Sequence, residues 1–167
     1  YTTRVLETAT GKILQNTLYS GIRLSWMPKS NLLYFIRDGL DGREMVTFDP
    51  RKGEEKVVAG RLPDVPMSLA PTEDFMICTI QEKGPQEKPD IRQVLVPDDR
   101  QPGWRNRNFA AKYDLKTGLM TRLTFGNRST SVGGVSGDGK KMLFSVSRSE
   151  LTEQPFPRTT LMIMDLA

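Results

Sequence analysis

Apolar residues fall in short runs along this chain, each bounded by a cluster of polar or turn-forming residues. Val, Ile, Leu and aromatic residues dominate runs of about five to eight positions, the length and composition of strands. No stretch holds an apolar stripe at helical spacing long enough to compete. The pattern predicts strands near 22–26, 31–37, 43–49 and 54–59, then 65–69, 74–80, 108–114 and 119–124, then 131–135, 140–147 and 159–165. Residues 1–16 read as two further strands.

Two elements repeat. Three segments align without a gap: Ser25 to Phe35, Ser68 to Cys78 and Gly134 to Phe144. Each reads as a short strand, a polar turn and a strongly apolar strand. Pro28 and Pro71 preset φ for a turn, and Asp138-Gly139 supplies the dipeptide of a tight hairpin. The second element places an acidic residue four positions before a glycine, as Glu7 and Gly11, Asp49 and Gly53, and Asp114 and Gly118, with a shortened copy at Met164-Asp165-Leu166-Ala167. The acid is expected to cap a turn and the glycine to take a left-handed conformation before the next strand. One carboxylate per turn cannot assemble the six to eight oxygen ligands of a calcium loop.

The two elements alternate in fixed order and so generate a four-strand unit, the pattern of radial blades that bury their faces only against neighbours. A β-sandwich would explain the strands but not the fixed alternation of two turn types. The expected fold is all-β: a partial β-propeller of about three four-stranded antiparallel blades. Residues 1–16 would be the last strands of a preceding blade, 17–60 a blade, 61–126 a blade with a long insertion at 81–107, and 127–167 a blade lacking its outer strand. Incomplete blades at both ends predict self-association, most simply a homodimer. The start, Tyr1-Thr2-Thr3-Arg4, shows no signal-peptide pattern and no initiator Met, as expected of a piece of a longer chain.

The unit frame exposes its insertions. Pro28 and Asp49 are 21 residues apart, Pro71 and Asp114 are 43 apart, and Gly137 and Asp165 are 28 apart. Both expansions lie between the second and third strands, so both should emerge on one rim. Long irregular connections in compact domains are often functional, and Ile91–Val96 within the longer one is expected to add a short strand. Trp104, flanked by Arg105 and Arg107, reads either as an interface anchor or as a tryptophan that folds the loop down onto the blade with the arginines solvated beside it. Arg148 and Arg158 bracket the shorter insertion. These five residues are the candidate partner or peptide contacts. Trp26, on a first strand, is assigned instead to packing between blades.

Charge and chemistry mostly subtract. Lys plus Arg is 24 against 20 acids, a formal +4, too small an excess to mark a nucleic-acid binder. Histidine is absent, which removes Ser-His-Asp and Cys-His arrangements and the usual zinc ligand sets. Gly134-Val135-Ser136-Gly137-Asp138 breaks the nucleophile-elbow pattern at its last position. Cys78, the sole cysteine, lies in an apolar run and reads as a small buried hydrophobe. No catalytic residue, metal site or cofactor is expected, and no run is long enough to span a membrane.

The run Ser136-Gly137-Asp138-Gly139-Lys140-Lys141-Met142-Leu143-Phe144 resembles the Ser-Pro-Asp-Gly-Lys blade motif of the prolyl oligopeptidase and dipeptidyl peptidase IV propellers, with Gly137 in place of the proline. The periplasmic Tol-system propeller shares that motif. Tyr113 to Gly118 followed by Thr121 to Gly126 is similar to the third and fourth strands of such blades, as are Leu151–Phe156 and Leu161–Leu166. The resemblance implies a non-catalytic propeller portion of a serine peptidase that gates and helps bind short peptides, with a C-terminal α/β-hydrolase domain as its partner and a periplasmic or secreted location. The alternative it implies is a protein- or glycan-binding propeller of Tol-system type. Glu54-Glu55, the only adjacent glutamate pair, lacks the surroundings of the peptidases' amine-binding motif and receives no such role.

Overall fold

The structure, a computed structural model, describes residues 3–17, 22–84, 94, 105–148 and 158–166. Among the described residues thirteen antiparallel strands form four sheets. The first sheet pairs β1 (Thr3–Leu6) with β2 (Ile13–Thr17). The second runs β3 (Ser25–Trp26), β4 (Leu33–Gly39), β5 (Gly42–Asp49), β6 (Glu54–Leu62) in sequence order. The third runs β7 (Met67–Leu69), β8 (Phe75–Glu82), β9 (Arg107–Asp114), β10 (Met120–Arg122), and the last has β11 (Thr130–Val135), β12 (Lys141–Arg148) and β13 (Arg158–Asp165). The four sheets, of two, four, four and three strands, stacked face to face make a partial, open β-propeller, and the all-β expectation holds.

The repeated turns recur as repeated hydrogen bonds. In each turn between first and second strands the same backbone bond closes: Met27 N–H to Leu32 O, Ala70 N–H to Phe75 O, and Ser136 N–H to Lys141 O, at 2.8–2.9 Å. In each turn between third and fourth strands the glycine amide donates to the carbonyl of the acidic residue: Gly11 to Glu7, Gly53 to Asp49, and Gly118 to Asp114. All three glycines have φ near +70°, the left-handed region the spacing demands. Asp114 Oδ1 accepts from the Thr117 amide at 2.7 Å and the Lys116 amide at 3.0 Å, and Asp49 Oδ1 from the Arg51 amide at 2.9 Å. The Thr117 amide is the main reason the Asp114 carboxyl is held below its ordinary range. The acids are caps.

Three apolar clusters lie between sheets. Leu33, Phe35, Val46 and Phe48 on one face of the second sheet meet Val5 and Leu14 of the first. From its other face Met45 and Ala59 meet Met76 and Tyr113 of the third. Phe75, Ile77 and Ala110 on the far side of the third sheet meet Met142 and Phe144 of the last. The alternation of strand side chains sends Phe75 and Ile77 one way and Met76 the other, so a central strand serves two interfaces. Cys78 is buried beside this packing, and burial pushes its thiol pKa up, as a structural cysteine requires. Trp26, by contrast, is 62% exposed, which corrects its assignment to an inter-blade core. The cluster on the β4–β5 face takes Ile22 and Leu24 from the segment that leads into β3 but leaves Trp26 outside.

Polar contacts also cross between sheets at the turns. Glu73 occupies the first turn of the third sheet with φ +67°, a costly conformation for a residue with a side chain. Its Oε1 accepts from the backbone amides of Lys29 and Ser30 in the equivalent turn of the second sheet. Desolvation opposes ionisation of this carboxyl, but the Lys29 and Ser30 amides outweigh it and hold its pKa below the ordinary value. Gly139, at the matching position of the last sheet, has φ +74°, and a Cβ there would stand 2.5 Å from Thr72 Cγ2. Each first turn leans on its predecessor.

Two outcomes follow from these turns. At Gly53 a Cβ would meet nothing within 4 Å, so Gly53→Ala should cost only the left-handed backbone, about 1 kcal/mol in urea unfolding. Gly139→Ala adds the collision with Thr72 and should cost roughly 2–3 kcal/mol, whereas Gly137→Ala, with open space and no positive φ, should stay within about 0.5 kcal/mol. The second outcome concerns acid. A carboxyl whose native pKa is depressed stabilises the fold above its unfolded value and loses that contribution as pH falls through the native one. Wild type should therefore exceed Glu73→Gln in urea midpoint near neutrality, and the gap should shrink as pH falls below about 4.5. A gap independent of pH would remove the ionised clamp.

Candidate partner-binding rim

Antiparallel meanders stacked in this way have two rims with different chemistry. One carries the short turns 27–32, 49–53, 70–75, 114–118 and 136–141, nearly uniform in length and cross-linked by backbone bonds such as Leu115 N–H to Asp74 O. The other carries every connection of unequal length: the β4–β5 turn, the insertions after β8 and β12, and the links from 62 to 67 and 122 to 130. Variation in sequence thus lands on one side of the fold.

Among the candidate contact residues, Arg105, Arg107, Arg148 and Arg158 fall at strand ends or connections on this second rim. Trp104 lies outside the described residues, as do residues 149–157 and, apart from exposed Val94, the expected 91–96 strand. Arg107 begins β9 and donates from Nε to Asn127 O at 2.6 Å and from Nη1 to Asn106 O at 2.9 Å, which ties the base of the longer insertion to the link between the third and last sheets. Arg105 stands against Gly84, where a Cβ would come within 2.5 Å of the Arg105 Cβ. Asn106 Oδ1 accepts from the Gly84 amide at 2.9 Å. Arg148 and Arg158 end β12 and begin β13 as register partners. The Ser147 amide donates to Ser129 O at 3.1 Å, and Ser129 Oγ accepts from the Asn108 amide at 3.2 Å. Arg107 therefore contacts the link 122–130, and the residue before Arg148 is hydrogen-bonded to it.

That link is the part of the rim the sequence reading passed over. Thr124 and Thr130 are buried, their hydroxyls 2.7 Å apart, and both contact the Ala110 amide. Arg122 lies with its guanidinium 3.5 Å from the Phe109 ring centre and 4.9 Å from that of Phe125, and pairs with Glu82 at 2.9 Å. Its Nε donates to Thr124 O at 2.8 Å. Phe125 nevertheless remains 71% exposed. The available signal was Phe125-Gly126-Asn127-Arg128, an aromatic residue at the mouth of a polar loop immediately after a strand.

A second feature of the rim is an open groove of about 900 Å³ beside the β4–β5 turn, lined by Arg37, Leu40, Glu44, Val57 and Arg61 among others. Leu40 at its tip is fully exposed. Arg37 pairs with Glu44 at 2.6 Å and Glu55 at 3.0 Å; the Glu44 hydrogen bond is the leading reason its pKa is raised. Glu55 also receives Gln15 of the first sheet, so this half of the Glu54-Glu55 pair is engaged in holding two sheets together. Among the described residues no group of three or more His, Cys, Asp or Glu could hold a metal ion, and no helix is long and apolar enough to cross a membrane.

No family model and no curated protein matches this sequence. Solved structures do. The tricorn protease aligns over 96% of this chain and 15% of its own, at 10% identity and a TM-score of 0.54. TolB from Acinetobacter baumannii aligns over 96% of this chain and 34% of its own, at 18% identity and a TM-score of 0.48. A putative TolB from Agrobacterium tumefaciens aligns over 93% and 48%, at 10% identity and a TM-score of 0.49. The chain thus spans less than half the length of each, and identities this low bear on fold without selecting the prolyl oligopeptidase and dipeptidyl peptidase IV family. The blade order and the likeness to the tricorn protease agree on one architecture, an arc of a β-propeller.

Proposed function

We propose that this chain is a non-catalytic propeller arc that binds a polypeptide partner on the rim of unequal connections. One observation carries the reading: the rim of uniform turns is closed by repeated hydrogen bonds, whereas the opposite rim collects the variable connections together with exposed Leu40 and Phe125. Exposed large apolar side chains on rigid loops are the usual anchors of protein recognition. This favours a protein-binding module of Tol-system type, and a periplasmic or secreted location accords with it.

A second reading rests on the Ser136–Phe144 blade motif. In it the arc belongs to a serine peptidase, guards a C-terminal α/β-hydrolase domain and contacts short peptides, with a second copy able to pack through the incomplete blades. The parent gene decides between them, because a peptidase must encode a Gly-x-Ser-x-Gly elbow followed by Asp and His downstream.

Rim binding is tested by placing a photo-crosslinking phenylalanine analogue at Leu40, Phe125 or Leu119 of the full-length protein in its native cells. Leu119 is 67% exposed on the opposite rim. Discrete adducts with a second polypeptide are expected from positions 40 and 125 and not from 119. Adducts only from 119 would place binding on the wrong side of the fold and overturn the reading.

A further inference from the structure

We infer that Phe125 and Arg128 form a preorganised anchor for an acidic polypeptide segment that carries an apolar side chain beside its carboxylates. The inference rests on the rim-binding reading above and names the partner's chemistry.

The loop that bears the two residues is held at every turn. Arg122 fixes the Thr124 carbonyl, Arg107 fixes the Asn127 carbonyl, the Ser147 amide fixes the Ser129 carbonyl, and the buried Thr124–Thr130 hydroxyl pair closes its base. Gly126, at φ +108°, permits the bend. A loop held this firmly pays little further ordering entropy on binding. It displays a phenylalanine that folding leaves in water, with the Arg122 guanidinium already stacked beneath it. Such an aromatic gains most when a partner's apolar group covers it.

The charge around it selects the partner. Arg128 is exposed and makes no ion pair among the described residues. Arg148 and Arg158 occupy directly opposed positions one hydrogen-bonded step away, beyond Ser147 and Ser129. On this stretch of rim the described residues carry a single acid, Glu82, already engaged with Arg122. Nucleic acid is the competing polyanion, but a formal charge of only +4 over the chain supplies too little field for it.

The test is fluorescence anisotropy of the full-length protein with three labelled probes: a short Glu-rich peptide carrying one Phe, its Gln-for-Glu counterpart, and a single-stranded oligonucleotide of matching charge. The acidic peptide should bind, and raising salt from about 50 to about 200 mM should weaken it several-fold. Phe125→Ala and Arg128→Glu should each weaken it about tenfold, while Lys116→Glu on the opposite rim should not. Equal affinity for the Gln peptide, or tighter binding of the oligonucleotide, overturns the acidic partner even where crosslinking at positions 40 and 125 succeeds. Loss of the crosslinks as well withdraws rim binding itself.

Discussion

A four-stranded meander has two apolar faces and can cover neither alone. Everything else in this molecule depends on that constraint. Adjacent residues of β8 point to opposite sides, so Phe75 and Ile77 are committed to the last sheet while Met76 is committed to the second. The middle sheets are stable because each is packed twice. The outer ones are packed once, and Leu143, Leu161 and Ile163 on the free side of the last sheet stay exposed. Stability in such an arc is therefore distributed by position, as in other repeat architectures where nearest-neighbour interfaces carry the energy.

Face packing fixes how blades approach but leaves their rotation to the turns. Glu73 and Gly139 show two solutions at the same place. The glutamate accepts a strained backbone and recovers its cost through two amides of the preceding turn. The glycine avoids the strain and lets Thr72 close in. Because one rim is locked by these contacts and by the capped glycine turns, chain length can vary on the other without disturbing the stack. The separation between a scaffold rim and a variable rim is the feature on which the proposed binding role rests.

Most of the fold was legible because its turns are written in residue types with one conformational meaning. Gly11, Gly53 and Gly118 sit four residues after an acid, and each takes the left-handed backbone that spacing requires. Strand bounds followed from the runs between them; β12, expected over 140–147, spans Lys141–Arg148. Trp26 was misjudged because periodicity tells which face a residue takes but not whether a neighbouring sheet covers that depth. The candidate site was less legible. Arg107 stood out by composition, yet its role in fixing the Asn127 carbonyl comes from a link far along the chain. Phe125 escaped notice because its exposure depends on Arg122 and Phe109 forming a platform beneath it, a tertiary fact with no local signature.

Native-state hydrogen exchange read by mass spectrometry tests the central claim that paired faces hold the arc together. Amides of Met45–Phe48, Phe75–Cys78 and Phe109–Tyr113 should exchange last and over a common range, because each strand is buried on two sides. Those of β1, β2 and β13 should exchange earlier. Faster exchange in β8 and β9 than in β13 would contradict the account, since it would mean that the doubly packed sheet is not the most stable part of the molecule.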